Sequence, residues 1–449
     1  MNQATASLPA AATGQPTATD MMPPVPSSER RSSAFKSIFI VASGNFLEMF
    51  DFMVFGYYAT YISKAFFPTG SEFASLMLTL MTFGAGFLMR PVGALVLGAY
   101  IDRHGRRQGL LLTLGLMALG TLAIAVTPTY AQIGLAAPII ILIGRLVQGL
   151  SAGVEVGGVS VYLNEIAPPH RRGFFCSWQS ASQQAAVVFA ALIGLLVSTS
   201  LDPVTMQDWG WRIPFIIGCV MIPFLFIIRR HMEETEAFLK RKEHPPLSQI
   251  IRTIGGNWGI VLQGALMAVM TTVFFYMITA YTPTFGNKVL SLTPGAALFV
   301  TACVGVTNFV LLPVMGALSD RIGRKPLLIA ATLCGLVLAY PLMSWLVAAP
   351  SFGRLLAVEL LLAAIYATYN GAFIVYLTEV IPAHVRTVGF SLAYSLATAI
   401  FGGFTPAIST ALIGATGDKA IPGAWCAAAA LLSLLALVIG SRVTRRAAH

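Results

Sequence analysis

Stretches of about 20 apolar residues, the length an α-helix needs to cross roughly 30 Å of hydrocarbon, recur along the whole chain. Twelve can be traced, over 37–63, 72–100, 109–127, 137–164, 174–199, 212–229, 256–286, 294–318, 327–347, 353–378, 387–413 and 421–441. Inside a bilayer only the chain itself can satisfy a backbone N–H or C=O, so runs of this kind predict helices. Six fall on each side of the hydrophilic segment 230–255. The fold class that follows is all-α and integral to the membrane, twelve transmembrane helices in two six-helix bundles. Its boundaries read as a tail over 1–34, a first bundle over 35–229, a linker over 230–255, a second bundle over 256–441 and a closing tail over 442–449. With 10% of residues charged and 56% hydrophobic, a water-soluble globule is excluded.

The two bundles echo each other. Gly98-Ala-Tyr-Ile-Asp102-Arg103-His-Gly105-Arg106-Arg107 returns as Gly316-Ala-Leu-Ser-Asp320-Arg321-Ile-Gly323-Arg324-Lys325, each copy where an apolar run stops. Val161-Tyr162-Leu163-Asn164-Glu165 returns as Val375-Tyr376-Leu377-Thr378-Glu379. Two repeats in one order imply pseudo-symmetric halves made by duplication. Of the 28 Lys and Arg residues, 21 fall in the tails, the linker and the loops at 101–108, 165–173, 319–326 and 379–386. Five lie on the other side: Lys64, Arg212, Lys288, Arg354 and Lys419. That imbalance places both termini and the linker in the cytoplasm. It also accounts for the net charge of +10 without nucleic acid, since the charges form no continuous strip for phosphates. The first 34 residues lack a basic start followed by an apolar core, so they read as a disordered cytoplasmic tail and not a signal peptide.

Five ionisable residues stand out towards the middle of the apolar runs: Glu48, Asp51, Arg90, Arg145 and Glu155. Each costs several kcal/mol in lipid unless it faces a wet cavity or a partner, so each asks for a function or a fixed mate. Asn45, Glu48 and Asp51 recur every third residue and share one helix face. They are candidates for cation handling, the alternative being a permanent pair with Arg90. Arg90 precedes Pro91, which loosens the helix at that depth, and its planar fork matches a carboxylate bidentately. Gly149, Gly153 and Gly157 form a ridge suited to close helix packing. Glu155 is read either as a coupling carboxylate or as a neighbour's fixed partner.

The two Asp-Arg-x-Gly-Arg-Arg/Lys loops resemble the signature of the major facilitator superfamily, where it lies between helices 2 and 3 and again between 8 and 9. Gly44-Asn45-Phe46-Leu47-Glu48-Met49-Phe50-Asp51-Phe52 and Arg90-Pro91-Val92-Gly93 look like its metabolite:proton symporter branch. With Ser71 to Thr79, Gly157 to Leu163, Ser177-Trp178-Gln179-Ser180-Ala181-Ser182-Gln183-Gln184 and Arg386 to Leu392, the chain closely resembles bacterial citrate–proton symporters from about residue 36 to about 440. The resemblance implies a multi-pass protein of a bacterial inner membrane that imports citrate with protons by alternating access. Within it, Asp102, Arg103, Arg106, Asp320, Arg321 and Arg324 would gate the cytoplasmic mouth, or would only anchor helix ends. Arg145-Leu-Val-Gln148-Gly149 resembles a motif associated with proton coupling, a role shared here among Glu48, Asp51, Glu155 and Arg145.

Polar side chains complete the expected substrate site: Arg90 and Asn45, Gln183 and Gln184 in helix 5, Tyr369 and Asn370 in helix 10, and Asn308 in helix 8. In helices 5 and 11 such groups also serve as interhelical glue. No charge is expected at comparable depth in the second half. All six histidines fall in loops or a tail, so proton coupling is assigned to carboxylates. The five cysteines read as small buried hydrophobes. With no phosphate-binding loop, triad or metal cluster in the sequence, neither an enzyme nor a cofactor or metal is expected. The partners are the lipid bilayer, a small organic anion and protons, with a monomer as the unit. Open alternatives are tricarballylate or another organic anion, coupling to sodium, and a proton-coupled antiporter.

Overall fold

A computed structural model describes residues 45–104, 106–230, 252, 255, 256, 258–382 and 386–447. The expected tail at 1–34 and most of the linker lie outside them. Twelve helical segments follow one another: α1 (45–66), α2 (Glu72–Gly98), α3 (Arg106–Val126), α4 (Ala136–Ile166), α5 (Pro169–Ser200), α6 (Gly210–Ile227), α7 (Trp258–Val289), α8 (Pro294–Ile322), α9 (Arg324–Ala348), α10 (Phe352–Val380), α11 (Arg386–Thr416) and α12 (Ile421–Gly440). The last continues as helix to Ala447, past the end expected at 441.

One continuous apolar core joins the halves, from Phe50, Phe55 and Phe83 of the first to Tyr276, Tyr366 and Phe373 of the second. The outer surface is apolar too, with Leu119, Leu135, Leu196, Phe224 and Val337 exposed. An apolar belt of this extent suits lipid and not water. Cys176 and Cys426 are buried as expected, but Cys334 lies on this exposed belt and Cys219 and Cys303 are half-buried. Lipid tolerates a small thiol as well as the core does.

Several helices are interrupted, α2 and α7 beside a proline. Pro91 has no N–H and crowds the preceding turn. Accordingly α2 breaks at Met89, whose N–H turns to the Gly86 carbonyl at 3.4 Å and towards that of Phe87, and a new segment starts at Arg90. In α4 the break falls at 153–154, so that Glu155 opens the following segment. Pro283 in α7 is flanked by π-type turns over Met277–Tyr281 and Phe285–Val289, and α11 has another over Thr398–Gly402.

Glycine decides where α2 meets α4. A side chain on Gly149 would run into the Gly86 carbonyl, one on Gly93 into that of Leu150, and one on Gly153 into that of Arg90. The two backbones therefore touch, and Gly157 continues the ridge against Ser391 of α11 in the other half. The halves also meet along α5 and α8, where Gly316 lies against Gly173 and Ser177. Its repeat partner Gly98 has nothing within 4 Å of an added Cβ.

This contrast makes a prediction. Gly149→Ala should cost about 1–3 kcal/mol of overpacking, lowering the thermal denaturation midpoint of the purified protein. Gly98→Ala should stay within about 0.5 kcal/mol of the parent. Equal midpoints for the two variants would contradict the packing described.

Candidate functional site

The α2–α4 crossing holds two arginines, Arg90 at the breaks and Arg145 about two turns away along α4. Arg90 opens the lower segment of α2, and its Nη2 donates to Glu48 Oε1 of α1 at 2.8 Å, with both side chains 2% exposed. Its guanidinium also lies 5.0 Å from the Phe52 ring centroid and 4.7 Å from that of Phe87, and its Nε has no hydrogen-bond partner. Arg145 of α4 is fully buried and donates from Nη1 to Gln148 Oε1 at 2.8 Å. Gln148 Nε2 in turn donates to the Asp51 carboxylate and to Thr121 Oγ1 of α3. The amide thus links a cation to an anion that it does not touch directly. Arg145 Nε and Nη2 and Asp51 Oδ1 are left without hydrogen-bond partners.

Phe52 stands between the two clusters, with Arg145 4.3 Å from its centroid on top of the Arg90 contact. Phe55 and Phe83 complete an aromatic wall around Arg145 at 4.6 and 5.3 Å. Quadrupole attraction to several rings partly replaces the water each guanidinium has lost. Neither Gln148 nor Phe52 was among the expected site residues. The signal was present as spacing, since Gln148 lies one turn after Arg145 and Phe52 one turn after Glu48.

Around this centre the polar residues sort into different positions. Asn45 donates to the Gln179 carbonyl at 3.2 Å and accepts from Gln183 Nε2 at 3.2 Å, tying α1 to α5. Gln184 comes up against Tyr366 of α10. Asn370 accepts from Thr271 of α7 at 2.7 Å and donates to the Tyr366 hydroxyl at 3.2 Å. The Tyr369 hydroxyl donates to the Met267 carbonyl at 2.7 Å, which binds α10 to α7 within the second half. Asn308 is fully buried in α8 with both amide atoms unpartnered. Glu155 is half-buried at the first turn of the lower α4 segment, where the helix dipole favours an anion.

The second half closes the site with rings. Tyr276 of α7 meets Phe87 edge-on at 5.0 Å between centroids, and Tyr276 and Tyr394 of α11 both lie within electrostatic range of Arg90 and Glu48. Contrary to expectation, this half also holds a deep charge-bearing group. Glu359 of α10 is fully buried, and its Oε1 lies 3.1 Å from Thr282 Oγ1 of α7. From the helix start it reads as an interfacial residue, and only the packing of α7 and α12 over it removes it from solvent.

At the end bearing the repeated charged loops, Asp320 accepts the Gly173 and Phe174 N–H groups at 2.8 and 3.0 Å. A residue of the second half thus caps the start of α5 in the first, where unsatisfied N–H groups and the helix dipole both attract an anion. Arg324 pairs with Asp320 at 2.8 Å and with Glu379 at 3.2 Å inside its own half, and Arg321 is exposed. The contact between halves therefore runs from carboxylate to main chain, and the arginine holds the carboxylate in place. The side chains of Asp102, Arg103 and Arg106 lie outside the described part of the structure. At the opposite end Lys288 pairs with Glu72 across the halves at 3.3 Å, and Gly56 of α1 lies against Ala280 of α7. Both ends are in contact, and the charged centre between them is buried.

Comparison with known proteins gives a consistent result. Residues 37–440 match the sugar (and other) transporter family. The chain is 59% identical over 406 residues to a citrate-proton symporter of Salmonella typhi, covering 90% of this chain and 94% of that one. It is 58% identical over 400 residues to a citrate-proton symporter of Klebsiella pneumoniae, covering 89% and 90%. The xylose transporter of E. coli, in a partially occluded inward-open conformation, superposes with a TM-score of 0.74 at 18% identity, covering 92% of this chain and 98% of that one.

The Asp320 contact can be tested directly. Replacing Asp320 by Asn removes the charge that holds two N–H groups, a change of about 1–2 kcal/mol or roughly 5–30-fold in the balance between closed and open. In a chain freed of native cysteines, a cysteine placed at Ser391 should be alkylated faster by about that factor from the charged-loop end. An unchanged rate would reduce Asp320 to a helix-end anchor.

Proposed function

We propose that this chain, which belongs to the sugar (and other) transporter family of the major facilitator superfamily, is a citrate–proton symporter working by alternating access. The observation that carries the mechanism is the double use of Arg90. Its partner in this structure is Glu48, at 2.8 Å. A substrate carboxylate that binds Arg90 must take the place of the Glu48 carboxylate, and a proton on Glu48 removes the competitor. Proton uptake and anion binding then favour each other because they act on one guanidinium. Arg145 repeats the logic at one remove, since a proton on Asp51 frees the Gln148 amide and with it the cation behind. Two buried guanidiniums suit a substrate with several carboxylates and oppose a cationic one, which disfavours drug antiport.

Energetics require the coupling. At ~100 mV, negative inside, import of a trivalent anion alone costs roughly 7 kcal/mol, at ~2.3 per charge. Accompanying protons cancel the charge. The repeated loops, the linker and both termini face the cytoplasm on the positive-inside argument, in a bacterial inner membrane. Binding between the halves of a single chain makes the monomer the transporting unit, and no covalent step is needed. Asn45, Gln183, Gln184, Asn308, Tyr369 and Asn370 are assigned to shaping the cavity and bonding citrate oxygens, and Glu155 to proton transfer beside α4. The domain limits 35–229 and 256–441 are kept for the two moving bodies.

Uptake of labelled citrate into proteoliposomes tests this, with a pH gradient, a sodium gradient or neither. Only the pH gradient should drive accumulation. Arg90→Lys retains the charge but loses the fork, and should weaken citrate binding roughly tenfold to hundredfold. Unaltered affinity would remove Arg90 from the site. Glu48→Gln should abolish accumulation while sparing citrate exchange; full accumulation in both Glu48→Gln and Asp51→Asn would move coupling to Glu155. Tricarballylate lacks only the hydroxyl of citrate and should compete with it, whereas robust tricarballylate uptake without citrate uptake would replace the substrate.

A further inference from the structure

The mechanism above uses only charges of the first half, and leaves Glu359 without a role. Its Oε1 approaches the Thr282 hydroxyl at 3.1 Å and its Oε2 has no hydrogen-bond partner. Among the described residues no cation pairs with it. Among the described residues Thr282 of α7 and the Cys426 thiol of α12 face it, and of these Thr282 is the one that hydrogen-bonds.

The hydrogens around Thr282 do not add up if Glu359 is ionised. The Thr282 hydroxyl has one hydrogen, yet its oxygen lies 3.2 Å from the Met277 carbonyl oxygen and 3.1 Å from Glu359 Oε1. Neither a carbonyl nor a carboxylate oxygen can donate. Both contacts are satisfied together when Glu359 carries a proton and donates it to Thr282 Oγ1, which then donates to Met277. An ionised carboxylate here would keep a full charge in an apolar site with, at most, a share of one hydrogen.

Thr282 is also the point about which the outer part of α7 is built. It joins the π-type turns Met277–Tyr281 and Phe285–Val289, and the next residues Pro283, Thr284 and Asn287 line a cavity with Tyr57, Tyr58 and Tyr61 of α1 at the outer end of the interface. One side of this short segment therefore faces Glu359 and the other faces the contact between the halves. Resting on the proton-symport reading, we propose that Glu359 is a second proton-binding site of the carrier, whose proton, taken from the outer solution, ties α7 to α10 and closes the outer end. Loss of that proton leaves a carboxylate that attracts water between α7 and α10 and loosens the closed arrangement. The second half then has a protonatable group of its own, separate from the substrate's guanidinium partners.

Two measurements on the full-length protein test this. In the infrared spectrum, Glu359→Gln should remove the C=O stretch of a neutral carboxylic acid that is present in the parent. In a chain whose native cysteines are replaced, alkylation of Asn287→Cys from the outer side should rise with pH in the parent background. Adding Glu359→Gln, whose amide still donates to Thr282, should leave only the rise that thiolate formation itself gives. The same pH dependence with and without Glu359→Gln, or an unchanged infrared spectrum, would overturn the proposal. If Glu359→Gln fails to fold, Thr282→Val serves: the acid band should shift and alkylation should become fast at all pH values, and no change in either would equally overturn it. Citrate uptake in the same vesicles separates the two readings, because absence of proton-driven uptake sinks the symport while the spectrum and the alkylation still judge Glu359.

Discussion

Everything at the centre of this molecule depends on the backbones of α2 and α4 touching. Glycines at 86, 93, 149 and 153 allow it, and the contact brings Arg90 and Arg145 both against the Phe52 ring. Neither guanidinium is stable in hydrocarbon alone. The first is satisfied by Glu48, and the second through Gln148 by Asp51, both acids from α1. A helix that brings acids, two that bring bases and a glycine seam that sets the spacing form one unit, and loosening the seam would leave buried charges unpaired.

That arrangement is costly to hold and easy to rebalance, which suits a carrier. A buried ion pair gains little net stability over apolar packing, but breaking it by removing one partner is expensive. On the mechanism proposed, replacing one carboxylate with another from the substrate avoids the expense, and so does neutralising the first with a proton. The breaks in α2 at Met89 and in α4 at 153–154 lie at the same level, so the helices can tilt about the site without losing a continuous ladder. The halves are then held by lighter contacts at either end, Asp320 on the α5 N-terminus and Lys288 with Glu72. Each is of a size that ligand binding can overcome.

The halves share a fold but divide the work unequally. The first contributes four of the buried charges at the site, and the second contributes Tyr276, Tyr394, Tyr366 and Asn370, groups that pack and hydrogen-bond. Among the described residues its one fully buried acid, Glu359, lies apart from the guanidiniums and is held by a hydroxyl. Duplication preserved the helix order and the charged loops, while the polar interiors diverged. The Gly98 and Gly316 pair shows how far, one in open space and the other wedged against α5.

Helix number, the two halves and the presence of Glu48, Asp51, Arg90 and Arg145 within the spans were legible from residues alone. The physical reason is that hydrocarbon penalises every polar group, so span length and misplaced charge stand out against an apolar background. Pro91 announced the break that frees Arg90, and the glycine spacing announced the seam. Pairing was not legible. That Asp51 reaches Arg145 only through Gln148, that Asp320 grips backbone instead of an arginine, and that Tyr369 turns to the Met267 carbonyl depend on how helices far apart in sequence rotate against one another. Glu359 is the clearest case. Its place in the helix predicts an interfacial acid, and only the closure of α7 and α12 over it makes it a buried one, because burial is a property of the neighbours and not of the residue.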